Sequence, residues 1–124
     1  MATILVVEDD AQQRSDLERI LVMAGHAVDA AAGGNQALSR LKEKRYELLM
    51  TDLMMEEGTG FDVLEWVREN APGLPVVICS SYAKTENLKT FLTPQLYRII
   101  RKPYHPDELV QQVQQLVAVT SAPM

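Results

Sequence analysis

Short apolar runs alternate along the chain with longer segments in which apolar residues recur every three to four positions. Short β-branched runs between polar or turn residues are typical of buried parallel strands, and the longer spacing is typical of one helix face. In the first such segment, Leu17, Leu21 and Ala24 share a face. The pattern predicts strands at residues 3–7, 27–31, 47–51, 76–79 and 97–100, and helices at 11–24, 35–44, 61–70, 83–92 and from 106 onward.

Residues that begin and end helices support this division. Gly25 is a good C-terminal stop for the first helix, and the acidic Asp10 suits its positive N-terminal end. Pro106 at a first helical position, followed by Asp107 and Glu108, starts the last helix. Five strand–helix units of this length predict an α/β fold with a five-stranded, parallel, doubly wound sheet of flavodoxin-like (βα)5 topology.

Length and charge narrow the classes of protein that the chain can represent. With 124 residues we expect one domain over 1–119, with 120–124 as a C-terminal tail or the start of a removed linker. The net charge of −5 disfavours nucleic acid or an anionic membrane as the main partner. A single cysteine, Cys79 in an apolar run, excludes an internal disulfide and predicts an inert thiol in a reducing cytoplasm. The sequence has no membrane-span or signal-peptide pattern.

Charged and hydroxyl residues cluster where the predicted strands end. They are Glu8-Asp9-Asp10 after the first strand, Asp52 after the third, Ser80 after the fourth and Lys102 just past the fifth. Parallel strands bring their carboxyl ends to one edge of the sheet, which is where such sheets bind ligands. Crowded carboxylates repel one another and need a counter-charge, which Mg²⁺ supplies through oxygen ligands. An aspartate at such a place can also accept a phosphoryl group.

Taken together in this order, these residues resemble the response-regulator receiver domain of two-component signalling over essentially the whole chain. The matching pieces are Glu8-Asp9, Asp52, Ser80 and Lys102-Pro103. The resemblance implies a switch that is phosphorylated in a His-to-Asp relay and is not an enzyme acting on other substrates. A histidine kinase or histidine phosphotransfer protein would donate the phosphoryl group. An effector that the sequence does not identify would read the switch, and activation could produce a homodimer.

The resemblance also assigns roles to single residues. Asp52 would be the phosphoacceptor and a Mg²⁺ ligand, Asp9 a direct ligand and Glu8 a ligand through water. The backbone carbonyl of Met54 would complete the protein's share of the metal shell. Lys102 and Ser80 would contact the phosphoryl oxygens.

Other interpretations remain open for some of these residues. The acidic run at 8–10 suits a solvated helix N-terminus, and Ser80 or Ser81 suits a helix cap. Two departures from the family pattern, Glu56 and Ile99, place its readout in question. They leave open the alternative that the chain is a phosphorylation-independent interaction scaffold. A haloacid-dehalogenase-type phosphatase is disfavoured because Met54 stands where its general acid belongs, and an FMN module because its phosphate loop is absent.

Overall fold

The computed structural model describes residues 2–52, 60–80 and 97–121. Five strands form one sheet in which every pairing is parallel. They are β1 (Thr3–Val7), β2 (Ala27–Ala31), β3 (Leu48–Thr51), β4 (Val76–Ser80) and β5 (Tyr97–Arg101). The strand order is β2-β1-β3-β4-β5, which confirms the predicted doubly wound, flavodoxin-like sheet.

Four helices lie in the described part of the chain: α1 (Ala11–Met23), α2 (Gly34–Glu43), α3 (Gly60–Asn70) and α4 (Pro106–Ser121). Each agrees with a predicted helix to within a few residues. The helix predicted at 83–92 lies outside the described residues. The last helix continues to Ser121 and therefore includes the first two residues of the segment predicted as a tail. No helix among the described residues is long and apolar enough to cross a membrane.

The sheet separates two apolar cores, because successive residues of a strand point to opposite faces. In β1, Ile4 and Val6 belong to the core shared with α1 and α4, while Leu5 and Val7 belong to the core shared with α2 and α3. All four are at most 1% exposed. Burial on both faces explains why β1 is a continuous apolar run rather than an alternating one.

Capping residues define both ends of α1, the helix that follows the first acidic residues. Asp10 is the N-cap, and its Oδ1 accepts a hydrogen bond from the Gln13 amide at 2.8 Å. At the other end Gly25 has φ +96°, a left-handed conformation that favours glycine. The amides of Gly25 and His26 close the helix on the carbonyls of Val22 and Leu21. Both ends agree with the sequence prediction.

The strand order reverses between β1 and β3, so the chain leaves these neighbouring strands in opposite directions. Val7 pairs with Thr51 at the carboxyl end of both strands. The next residues, Glu8 and Asp52, consequently emerge side by side at the switch point where open α/β sheets bind ligands.

Candidate functional site

The backbone fixes where the acidic side chains begin. The Glu8 amide donates to the carbonyl of Ala31 at 3.0 Å, and the Asp52 amide donates to the carbonyl of Val7 at 3.2 Å. Both residues are thus tied to the ends of neighbouring strands. On the far side of the sheet, Ser80 pairs with Arg101, so Lys102 leaves β5 at the same edge.

The Lys102 ammonium lies between the two carboxylates. Its Nζ donates to Glu8 Oε1 at 2.5 Å and to Asp52 Oδ2 at 2.8 Å. A third acceptor, Gln13 Oε1, lies at 2.6 Å. Glu8 and Lys102 are 94 residues apart in the chain, and only the sheet topology brings them together. The predicted convergence of residues 8, 52 and 102 therefore occurs.

These charges are largely removed from water. The side chains of Glu8, Asp52 and Lys102 are 2%, 13% and 15% exposed. Burial raises the pKa of Glu8, against the opposing effect of its hydrogen bond with Lys102. Burial by itself would lower the pKa of Lys102, but its hydrogen bonds with Asp52 and Glu8 outweigh it and raise that pKa. Among the described residues, one buried cation therefore contacts two carboxylates, and negative charge is in excess.

Residues 8–10 form an acidic loop before α1. Residues of α1 that were not predicted as part of the site hold this loop in place. Arg14 Nη1 donates to the carbonyl of Glu8 at 2.9 Å and contacts that of Asp9 at 3.4 Å. Glu8 Oε2 accepts from the Asp10 amide at 3.1 Å. Gln13, already noted as a partner of Lys102, sits three residues after the N-cap. The spacing Asp-x-x-Gln is a capping pattern, but it predicts a contact of Gln13 with the Asp10 amide and not with Lys102.

The donor set suits Mg²⁺. Glu8, Asp9 and Asp52 line one open cleft of about 890 Å³, together with Lys102 and Tyr104. Within the described ranges no three acidic, histidine or cysteine side chains form a ready-made metal cage. Mg²⁺ keeps several of its waters and needs few protein oxygens, so carboxylates at the wall of a wet cleft fit it better than a closed cage does.

Two predicted site residues are only partly placed, or not placed at all. Ser80 is the last residue of β4 and lies at the predicted edge of the sheet, but its side chain is not among the described parts of the structure. Met54, Glu56 and Ser81 lie outside the described residues altogether.

Cys79, next to Ser80, is buried, and burial raises the pKa of its thiol to about 12. The thiol therefore stays protonated at neutral pH and is poorly reactive, as its apolar run predicted.

The chain is similar in sequence and fold to known proteins of one family. The family model of the response regulator receiver domain matches residues 4–114. Response regulator receiver protein CpdR of Brucella abortus is 29% identical over 94% of this chain and 98% of its own length. A response regulator receiver protein from Sinorhizobium medicae has a crystal structure with TM-score 0.85, at 29% identity over 96% of each chain.

A third likeness concerns the fold. Response regulator protein TrrA of Thermotoga maritima, crystallised in complex with Mg²⁺-BeF, has TM-score 0.83 at 24% identity, over 94% of this chain and 99% of its own. The family match covers residues 4–114, which include the acidic loop, Asp52 and Lys102. The chain therefore belongs to the response-regulator receiver domain family of two-component signalling.

Proposed function

We propose that this chain is a phosphoacceptor switch in which Asp52 receives a phosphoryl group in a Mg²⁺-dependent reaction. The observation that carries the proposal is the contact of one Lys102 ammonium with both Asp52 and Glu8. The site has an acceptor carboxylate, an adjacent cation and further carboxylates that can hold Mg²⁺. These are the parts that phosphoryl transfer needs. Such transfer depends on positioning and on neutralisation of charge.

In the proposed reaction Asp52 is the nucleophile. A carboxylate oxygen forms a bond to phosphorus as the bond from phosphorus to the phosphohistidine nitrogen of the donor breaks, and the electron pair leaves with that nitrogen. Lys102, which is 15% exposed and remains charged, places a positive point charge beside the oxygens of the transferred group. Ser80 would donate its hydroxyl to another of these oxygens.

Metal binding falls to the acidic loop in this proposal. Asp9 would bind Mg²⁺ directly, Glu8 would bind it through water, and Asp52 and the backbone carbonyl of Met54 would complete the protein ligands. When bound, Mg²⁺ supplies the positive charge that balances the excess carboxylate and the incoming phosphoryl oxygens. The half-buried Asp9 and the almost fully buried Glu8 suit one direct and one indirect ligand.

The proposed partners follow from the reaction. A histidine kinase or histidine phosphotransfer protein would be the donor, and an effector would bind the phosphorylated form. Phosphorylation adds about −1.5 to −2 charge. This charge would shift a pre-existing equilibrium between two conformations of the face near β5 and α4. The chain would catalyse only its own phosphorylation and dephosphorylation.

The test is labelling with a small phosphodonor. Incubation with acetyl phosphate and Mg²⁺ should add the mass of one phosphate to the parent and none to Asp52→Asn. Asp62→Asn, an acid on the exposed surface of α3, is the matched control and should label normally. Equal labelling of Asp52→Asn and the parent would refute the assignment of the acceptor.

The scaffold alternative makes a different prediction for the same cleft. A phosphorylation-independent scaffold has no use for converged charges at the sheet edge, and the contacts of Lys102 therefore disfavour it. Beryllium fluoride with Mg²⁺ mimics an acyl phosphate and separates the two. A switch binds it with amide NMR shifts around the cleft, whereas a scaffold leaves the spectrum unchanged.

A further inference from the structure

Gln13 reaches the candidate site from the first turn of α1. Its Oε1 accepts a hydrogen bond from Lys102 Nζ at 2.6 Å, although the two residues are 89 positions apart in the chain. Its neighbours on the same ammonium, Glu8 and Asp52, are both carboxylates. Gln13 therefore supplies Lys102 with a neutral acceptor, which a divalent cation attracts far less than it attracts a carboxylate.

The cap of α1 explains why this side chain is available. In a capping box the N-cap side chain accepts from the backbone amide three residues on, and the glutamine there reaches back to the N-cap amide. The first half exists here, because Asp10 Oδ1 accepts from the Gln13 amide at 2.8 Å. The second half is replaced, because Glu8 Oε2 accepts from the Asp10 amide at 3.1 Å. The Gln13 side chain is thus released from capping and extends to Lys102.

Lys102 needs such a partner if its carboxylate partners are shared with a metal. The ammonium has three N–H donors, and the three acceptors described here match them. A metal held by Glu8 and Asp52 would compete with Lys102 for their oxygens. A long flexible lysine that loses its acceptors gains rotamer freedom and extends into water.

We propose that Gln13 is a positioning residue that keeps the Lys102 ammonium in the cleft while Mg²⁺ occupies the carboxylates of Glu8 and Asp52. This inference rests on the proposed function. It assigns to Gln13 a part in phosphoryl transfer through Lys102, without direct contact with the reacting atoms. The first turn of α1 would then support the cation as well as the acidic residues.

The first test compares labelling rates with acetyl phosphate and Mg²⁺. Gln13→Met removes the acceptor at similar volume and should slow labelling of Asp52 by roughly tenfold, the value of one hydrogen bond to a charged group. Gln13→Glu turns the neutral acceptor into a carboxylate that Mg²⁺ attracts, so it should restore little of the rate. Gln12→Met is the matched control, because Gln12 is exposed and its Nε2 donates to Asp16 at 3.0 Å. It should label like the parent.

The second test does not depend on phosphorylation. Thermal melts in EDTA of Gln13→Met, Lys102→Met and the double variant form a double-mutant cycle. Direct contact predicts non-additive shifts of the melting temperature, whereas a Gln13 that only stabilises the helix start predicts additive ones.

Three results would overturn the inference: additive shifts, an unchanged labelling rate of Gln13→Met, or a labelling rate of Gln13→Glu equal to that of the parent. A parent that does not label would instead refute the proposed function, and the melting cycle would still decide whether Gln13 holds Lys102.

Discussion

Lys102 and Lys44 each contact an aspartate, Lys102 with Asp52 at 2.8 Å and Lys44 with Asp29 at 3.0 Å. The Lys44 cluster lies at the end of α2 and contains one carboxylate, which also accepts a hydrogen bond from the Tyr46 phenol at 2.7 Å. Its lysine and aspartate side chains are 52% and 30% exposed. The Lys102 cluster is far more buried and contains two carboxylates.

The pKa values of one carboxyl group in each cluster, Asp29 and Glu8, shift in opposite directions. The hydrogen bonds from Tyr46 and Lys44 lower the pKa of Asp29, so its charge is satisfied where it stands. Burial raises the pKa of Glu8 despite its contact with Lys102. An ion pair is therefore not by itself a functional site. An excess of buried charge of one sign is what requires a further cation.

The largest expected difference comes from removal of each lysine. Lys102→Met leaves two buried carboxylates without their cation and should lower the free energy of unfolding by about 3 kcal/mol in EDTA. Lys44→Met breaks an exposed pair and should cost less than about 1 kcal/mol. Urea unfolding of both variants measures this. Losses of equal size would show that the clusters do not differ as described.

Removal of each aspartate should give effects of opposite sign. Asp52→Ala relieves the excess of carboxylate and should stabilise the metal-free protein by about 1 kcal/mol while it abolishes labelling, a trade of stability for function. Asp29→Ala removes the partner of both Tyr46 and Lys44 and should destabilise by about 1 kcal/mol. Thermal melts in EDTA decide this, and a lower melting temperature for Asp52→Ala would contradict the charge argument.

A smaller effect concerns His26, a half-buried residue just before β2. Its Nδ1 accepts from the Ala2 amide at 3.0 Å, and its Nε2 is buried without a partner among the described residues. Burial lowers its pKa, with a further lowering by the N-terminal charge and an opposing effect of Glu47.

The sign of the pH effect follows from that shift. As pH falls through the ordinary value of 6.5, the unfolded chain takes up a proton before the folded protein does, so stability declines until the folded form is also protonated. His26→Asn keeps an acceptor and should flatten this decline between pH 7 and 5. The exposed His105→Asn is the control. An unchanged slope in His26→Asn would show that another group is responsible.

Much of the fold follows from the sequence because the two periodicities are clear. The bounds of β1 and β2 agree with their predictions, and β2 forms although its sequence, AVDAA, has poor strand propensity. Pairing with β1 along its whole length compensates for that propensity. At the ends of elements the prediction is off by one or two residues, where local capping decides. Thus α2 begins at Gly34, one residue before its predicted start.

The site was predictable to the extent that topology determines it. Residues at the ends of β1, β3 and β5 meet because parallel strands share an edge, so Glu8, Asp52 and Lys102 could be named in advance. Gln13 and Arg14 could not, because their roles depend on which of several competing hydrogen bonds the first turn of α1 adopts. Periodicity predicts the helix there but not the destination of a flexible polar side chain.

The most direct test of the shared-carboxylate site is the Mg²⁺ affinity of Lys102→Met against that of the parent. The amide NMR shifts of Asp9 and Asp10 can follow the titration. If the ammonium and the metal share the same carboxylates, removal of the ammonium should tighten Mg²⁺ binding by roughly tenfold, while the metal-free variant is less stable. Equal or weaker Mg²⁺ binding by Lys102→Met would contradict a common site for the lysine and the metal.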